Sequence, residues 1–223
     1  MTTKLLVQAT VKFLSGIVLT ASLIFLPAGT FLFPNGWLLM AVMFFPMLLA
    51  GIFLFLKRPQ LLQKRLNTKE TQKEQYDLIK LSALMFLSGF VTAGLDFRFG
   101  WSALPHSVSL TAAAIFLASY VLYAEVLREN AYLSRTIEVQ ENQTLVDTGL
   151  YALVRHPMYS ASVLMFLSSP LILGSLCAFL IFLTYPFLIV KRIKAEESFL
   201  EKELPGYSEY KTKVLYRLIP YIW

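Results

Sequence analysis

The sequence predicts an all-α protein that crosses a membrane several times, and three observations support this fold class. Of the 223 residues, 57% are apolar and only 15% are charged, and the mean hydropathy is +0.60. A water-soluble chain of this size has too little interior to bury so much hydrocarbon. The charges are also confined to a few blocks between long apolar runs, as in helical membrane proteins. The composition therefore excludes a secreted disulfide-bonded domain, a disordered tail and a soluble dinucleotide-binding enzyme.

Four apolar runs are long enough for transmembrane helices, because about 20 residues are needed to cross the ~30 Å hydrocarbon core of a bilayer. We expect these spans over residues 13–33, 36–56, 78–95 and 107–127. The first run is too long for the apolar part of a signal peptide, and no cleavage-site pattern follows it, so we interpret it as an anchor. Residues 1–127 are therefore expected to form a transmembrane helical region.

The lysines and arginines predict the orientation of the chain. Of the 20 basic residues, all but Arg98 fall at the N-terminus, in the segments 57–80 and 128–155, or in the C-terminal tail. By the positive-inside rule, both termini and these two segments are cytoplasmic, and the connections at 34–36 and 96–106 face outward. We therefore expect a multi-pass integral membrane protein, located in the cell membrane if the source is prokaryotic.

The fifth apolar stretch, residues 158–190, has cytoplasmic charges at both ends, which excludes a single crossing. A straight helix of this length would measure about 50 Å, more than a bilayer requires. A Ser-Ser-Pro motif at 168–170 and a Gly-Ser pair at 174–175 interrupt the run, and each arm would reach only ~22 Å. We therefore predict a helical hairpin that enters and leaves from the cytoplasmic side, packs against the earlier spans and is followed by an amphipathic cytoplasmic tail.

Polar residues gather at the two ends of this hairpin. Pro157 suits the first position of a helix, since it lacks an N–H and its φ is already helical. His156 would then be the cap residue, and the free amides of the first turn would form a site for an anion. Arg192 and Glu196 are four residues apart and project from one face of the exit helix. A guanidinium suits an anionic acceptor, and a carboxylate suits ribose hydroxyls or an ammonium group.

Plainer interpretations of these residues remain open at this point. His156 and Tyr159 could hold the helix at the level of the lipid headgroups, and Arg192 with Glu196 could be a surface ion pair. Motifs of other chemistries are absent, including the dinucleotide-binding and phosphate-binding glycine loops and the serine-hydrolase elbow. The two histidines are expected on opposite sides of the membrane, and Cys177 is the single cysteine. We therefore expect no metal site.

Several motifs in one order resemble a known family. VQENQTLVDTGLYALVRHPMY at 139–159 precedes the hairpin, and RIKAEESFLEKELPGYSEYKTKV at 192–214 follows it. With a final Ile-Pro, they resemble the isoprenylcysteine carboxyl methyltransferase family and the related bacterial phospholipid methyltransferases. The combination of Arg-His-Pro-x-Tyr, Arg-x-x-x-Glu-Glu and Gly-Tyr-x-x-Tyr is specific, and it covers residues 128–220. The first four spans resemble the family only in topology.

This resemblance implies an S-adenosylmethionine-dependent methyltransferase, with residues 128–223 as its cofactor-binding catalytic region. Arg192 would face the acceptor, with Arg155 as a second catalytic residue. Two departures from the family pattern are Ala161, where glycine is frequent, and Gln143, where histidine or glycine is common. The residues that the resemblance assigns to the cofactor are Gln140, Gln143, Thr144, Leu145, Val146, Tyr151, His156, Pro157, Met158, Tyr159, Glu196 and Glu197.

The expected partners are the lipid bilayer and a lipophilic small molecule or lipidated substrate, and not a nucleic acid. A carboxylate acceptor is ionised at pH 7 and needs no base, whereas an amine must lose a proton, for which His156 or Glu197 are candidates. The scarcity of bases favours carboxyl methylation of an isoprenylcysteine-like substrate, with a phospholipid amine as the alternative. An NADPH-dependent membrane reductase of the sterol type and a non-catalytic membrane protein are further hypotheses. The sequence predicts no particular oligomeric state.

Overall fold

Helices make up most of the chain. The computed structural model describes residues 2–66, 73–133, 139 and 143–223, and these residues form no β-strand. The α-helices are α1 (Thr2–Ala28), α2 (Pro34–Lys57), α3 (Pro59–Leu66), α4 (Lys73–Phe99), α5 (His106–Glu129), α6 (Pro157–Ile172), α7 (Leu176–Phe182), α8 (Tyr185–Glu203) and α9 (Tyr207–Lys213), and a short 3-10 helix spans Gly149–Ala152.

Five helical stretches in the described part of the chain are long and apolar enough to cross a membrane. Four of them, in α1, α2, α4 and α5, correspond to the predicted spans, and the fifth covers Leu176–Glu203. These helices expose large apolar side chains, with Leu26 73%, Phe53 56% and Val121 71% exposed. Such a surface is stable only when lipid covers it. The prediction of an all-α polytopic membrane protein is therefore confirmed.

The connection between the first two helices differs from the prediction. The first span was expected over 13–33, but α1 ends at Ala28 because Gly29 adopts a left-handed conformation with φ 71°. Pro34 lies in the first turn of α2, where proline is favoured. The turn is therefore formed by residues 29–33, and the Pro-Asn-Gly motif that was expected to form it instead begins the next helix.

The predicted hairpin is present, and its second arm is longer than expected. The first arm is α6, the tip lies around Gly174 with φ 77°, and α7 and α8 form the second arm. The prediction ended this arm at residue 190, where the apolar run ends, but α8 continues to Glu203. Residues 191–203 are rich in Lys and Glu, which favour helix although they are polar. With this extension, the second arm is long enough to be a fifth candidate membrane span.

The tip of the hairpin lies beside the N-terminal ends of α2 and α5 and the C-terminal end of α4. Asn35 Nδ2 donates to Ser109 Oγ over 3.2 Å, and Ser109 Oγ donates to the carbonyl of Leu171 over 3.3 Å. Asp96, only 2% exposed, accepts hydrogen bonds from the backbone and hydroxyl of Ser102 and from Ser175 Oγ. The arms therefore reach the far ends of the neighbouring helices, whereas the sequence predicted arms that stop short of the opposite side of the bilayer.

Candidate active site

A cleft that is partly open to solvent lies at the end of the hairpin opposite to its tip. It is formed by the segment between α5 and α6, the start of α6, and the α8–α9 region. Of the residues assigned from the sequence, Gln140 lies outside the described residues and Glu197 is not part of the lining. The others line the cleft: Gln143, Thr144, Leu145, Val146, Tyr151, Arg155, His156, Pro157, Met158, Tyr159, Arg192 and Glu196.

The start of α6 has the predicted arrangement. Pro157 begins the helix, and His156 is the cap residue, with φ −128° and a side chain that accepts no hydrogen bond from the helix amides. The amides of Tyr159 and Ser160 both donate to the carbonyl of His156, over 3.0 and 3.2 Å. The first turn therefore offers fewer free N–H groups to an anion than predicted from the sequence, and the contribution of this turn to the cleft is mainly its side chains.

Tyr159 joins the two arms of the hairpin at the cleft. Its hydroxyl donates to Glu196 Oε2 over 2.5 Å and accepts from Arg192 Nε over 2.8 Å. The guanidinium carbon of Arg192 also lies 6.0 Å from the centroid of the Tyr159 ring. Arg192 and Glu196 share one face of α8, as predicted, and a buried tyrosine of α6 lies between them. This arrangement fixes both charged groups at the cleft wall and argues against a simple surface ion pair.

Glu197 is the centre of a separate buried network behind this wall. It is 3% exposed, and its carboxylate accepts from Arg155 Nε over 2.7 Å and from Arg217 Nε over 2.9 Å. His156 Nε2 lies 3.3 Å from the same carboxylate. A buried carboxylate needs such partners to offset the loss of hydration. The position predicted to bind the cofactor or act as a base is thus occupied by contacts within the protein, and Arg155, predicted as catalytic, belongs to the same network.

The C-terminal segment is tied to the start of α6 by the main chain. The amide of Arg155 donates to the carbonyl of Tyr216, and the amide of His156 donates to the carbonyl of Arg217, each over 2.9 Å. The guanidinium carbon of Arg217 lies 5.0 Å from the ring centroid of Trp223. These contacts pack the tail against the Arg-His-Pro motif, so the two polar segments at the hairpin ends form one unit.

The 3-10 helix positions Tyr151 in the cleft. It begins at Gly149, whose φ is 56°, and the amide of Leu150 donates to Glu129 Oε2 over 2.9 Å. Asn130 Nδ2 donates to the Tyr151 hydroxyl over 2.9 Å. Burial raises the pKa of Tyr151 to about 12, although the hydrogen bond from Asn130 acts in the opposite direction. Tyr151 is therefore a neutral phenol at physiological pH.

Two tyrosines of α9, Tyr207 and Tyr210, line the cleft but were not assigned from the sequence. Both belong to the Gly-Tyr-x-x-Tyr motif, and a spacing of three places them on one helix face. The Tyr210 hydroxyl donates to the carbonyl of Tyr151 over 2.7 Å. The Tyr207 hydroxyl is buried and has no hydrogen-bond partner in the described part of the chain. The further lining residues that were not assigned are Asn130, Tyr132, Leu133, Leu200 and Leu204.

Arg65 approaches the site from the segment 57–80, in which the sequence indicated no site residue. Leu61 and Leu62 are buried on one face of α3, and the spacing places Arg65 on that face. Its guanidinium Nη1 lies 3.9 Å from the Met158 sulfur, and its central carbon lies 5.4 Å from the ring centroid of Tyr123. A positive charge therefore stands beside a residue of the cleft lining.

One comparison with known protein families matches the part of the chain that holds most of this site. Residues 106–205 match the family model for phospholipid methyltransferase, a stretch that holds α5, the hairpin and most of the cleft lining. A comparison with curated proteins finds no match. The family match supports a membrane methyltransferase and leaves both acceptor chemistries, carboxylate and amine, open.

Proposed function

We propose that this protein is an integral membrane methyltransferase that uses S-adenosylmethionine and acts on a lipophilic acceptor. The observation that carries the proposal is the cleft at the open end of the hairpin, where Tyr159 holds Arg192 and Glu196 within the segment that matches the methyltransferase family. The cleft adjoins the apolar helices, so a lipid-borne acceptor and a soluble cofactor could meet there.

The chemistry of the lining fits this cofactor. Glu196 offers a carboxylate for an ammonium group or ribose hydroxyls, and Leu145, Val146 and Leu200 offer apolar surface. The buried hydroxyl of Tyr207, which has no partner among the described residues, is a donor that a bound molecule would satisfy. When bound, the cofactor supplies a methyl group on a sulfonium sulfur. The protein's own task is then to align the acceptor and to exclude water.

We favour a carboxylate as the acceptor, as in an isoprenylcysteine-like substrate. Its oxygen would form the new C–O bond while the C–S bond breaks and the thioether leaves, and no proton has to be removed. Both groups that the sequence offered as bases for an amine are engaged with each other, since His156 Nε2 lies 3.3 Å from the Glu197 carboxylate. Arg192 could hold the carboxylate.

A phospholipid amine is the second candidate, because the matching family model is that of phospholipid methyltransferase. Transfer to an amine forms a C–N bond and releases a proton, so a base is required. Glu196, already a hydrogen-bond acceptor at the cleft, is the nearest candidate for this role. Transfer of a radiolabelled methyl group by the purified protein would separate the two chemistries. The two acceptors to compare are a farnesylated cysteine and phosphatidylethanolamine vesicles.

The cofactor assignment is tested by binding of S-adenosylhomocysteine to the protein in detergent. Glu196→Gln keeps the shape of the side chain but removes its charge, so we expect affinity to fall about 10- to 100-fold, as for loss of a charge-assisted hydrogen bond. Glu201→Gln is the matched control on the same helix, because Glu201 pairs with Lys211 at the surface. Equal affinities of both variants would refute the assignment of Glu196 to the cofactor. Binding of NADPH in place of S-adenosylhomocysteine would refute the proposed methyltransferase.

A further inference from the structure

The hydroxyl of Tyr207 is an exception among the buried polar groups of this protein. Tyr207 is 3% exposed and lines the cleft, and among the described residues no group forms a hydrogen bond with its hydroxyl. Its neighbour on the same face of α9, Tyr210, is equally buried and is paired with a backbone carbonyl. Buried hydroxyls are nearly always paired in native proteins, and an unpaired one lowers stability. An unpaired hydroxyl in a cleft wall therefore indicates a ligand atom that pairs with it.

The surroundings of this hydroxyl indicate what kind of atom that is. Burial raises the pKa of Tyr207, and the nearby carboxylates of Glu197 and Glu196 raise it further. The phenol therefore keeps its proton and is available as a donor. Arg155 acts in the opposite direction on this pKa, and the Glu197 carboxylate is balanced by its pairs with Arg155 and Arg217. No single sign of charge dominates at this hydroxyl, so an uncharged oxygen or nitrogen suits the position.

We propose that the Tyr207 hydroxyl binds the nucleoside half of the cofactor, by donating a hydrogen bond to a ribose oxygen or an adenine ring nitrogen. This inference rests on the proposed function. It adds a binding residue that lies beyond the segment matching the family model, which ends at residue 205. It also assigns a role to α9, whose buried residues form a small apolar cluster with Leu204 and Val214.

The test is Tyr207→Phe, which removes only the oxygen. Because no described residue pairs with the hydroxyl, we expect the melting temperature of the ligand-free variant to equal or exceed that of the wild type. The dissociation constant for S-adenosylhomocysteine should rise about 5- to 10-fold, as for loss of one neutral hydrogen bond. Tyr120→Phe is the matched control: its hydroxyl donates to the carbonyl of Met43 over 2.7 Å, away from the cleft. That variant should melt at a lower temperature and bind the ligand normally.

A second ligand identifies the half of the cofactor involved. 5′-Methylthioadenosine contains the nucleoside without the amino-acid part, so Tyr207→Phe should weaken its binding by the same factor. A loss with S-adenosylhomocysteine but not with methylthioadenosine would overturn the nucleoside assignment. A lower melting temperature with unchanged affinity would show that the hydroxyl is paired within the protein. The inference about Tyr207 would then fail, while the proposed function would stand. If the wild type binds neither ligand, the proposed function fails with it.

Discussion

At the scale of single residues, two adjacent glutamates of α8 have different surroundings. Glu196 lies at the cleft wall and accepts a hydrogen bond from Tyr159, whereas Glu197 is enclosed by cationic and histidine groups. Successive helical residues point about 100° apart, so one glutamate faces the cleft and the other faces the tail. The pair thus connects the proposed binding site to the packing of the C-terminal segment.

Removal of the Glu197 carboxylate should destabilise the protein strongly. Glu197→Ala leaves the buried guanidinium of Arg155 and the guanidinium of Arg217 without their carboxylate partner. We expect the free energy of unfolding to fall by about 3–5 kcal/mol, the usual cost of breaking a buried ion pair. Glu201→Ala, which breaks a partly exposed pair, should cost about 1 kcal/mol or less. Denaturant unfolding in detergent measures both, and similar losses would show that the Glu197 network is not a structural centre.

Arg192 should affect the acceptor more than the cofactor. Lysine lacks both the Nε donor that holds Tyr159 and the planar pair of donors that suits a carboxylate. We expect Arg192→Lys to lower turnover of a farnesylated cysteine at least about 10-fold, with the affinity for S-adenosylhomocysteine changed less than about 3-fold. Lys191→Gln, at an exposed position on the same helix, should change neither. Full activity of Arg192→Lys would remove the argument for a carboxylate.

At the scale of elements, some helices approach one another closely where a glycine leaves no side chain between them. A Cβ atom at Gly94 in α4 would lie 2.4 Å from the carbonyl oxygen of Ile24 in α1, and one at Gly89 would lie 2.3 Å from the ring of Phe182 in α7. Small residues allow such close contacts in membrane helix bundles. The packing of α4 against both the first span and the second arm of the hairpin therefore depends on two glycines.

Gly94→Ala should separate α1 from α4, because the atom it meets belongs to the backbone and cannot rotate away. We expect a loss of about 1–3 kcal/mol in unfolding free energy, as for other overpacked sites. Gly51→Ala in α2 is the matched control, since a Cβ there has nothing within 4 Å. It should be neutral or stabilise by up to about 1 kcal/mol through helix propensity. Thermal unfolding compares the melting temperatures of the two variants, and equal values would contradict the close contact between α1 and α4.

At the scale of the whole molecule, the proposed site requires the α2–α4 connection, the α5–α6 connection and the tail to share one side of the membrane. The structure supports this arrangement through Arg65, which extends from α3 to Met158 at the start of α6. Contacts between Arg155 and the tail join the remaining parts. The cytoplasmic assignment of this side rests on the distribution of basic residues in the sequence.

Cysteine labelling tests this topology. In a Cys177→Ser background, single cysteines replace exposed residues: Gln63, Asp147, Glu209 and Ala103. A membrane-impermeant maleimide should label the first three only in inside-out vesicles, and the fourth only in right-side-out vesicles. Labelling of positions 147 and 209 from opposite sides would exclude the hairpin and the shared cleft.

The sequence alone was sufficient for features that depend on local composition and spacing. Apolar runs predicted the four long helices, Pro157 predicted the start of α6, and the charges around 158–190 predicted a return of the chain that brings Arg155 near Glu197. The arginine–histidine motif and the glutamate pair could also be chosen as site candidates, because their types and order carry a chemical meaning. These predictions needed no knowledge of which helices are neighbours.

Only the tertiary structure decided which polar groups face the cleft and which are used in packing. The spacing placed Glu196 on the face of Arg192, but both Glu196 and Glu197 were assigned to the cofactor. Their roles separate because Tyr159 and Arg155 approach α8 from different directions. In the sequence, Arg65 is only one of several basic residues in the segment 57–80, and its position beside Met158 follows from the packing of α3. Spacing along one helix gives the relative directions of side chains, but not the neighbour that each direction meets. That neighbour is determined by contacts between residues far apart in the chain, and its identity decides whether a charge binds a ligand or stabilises the fold.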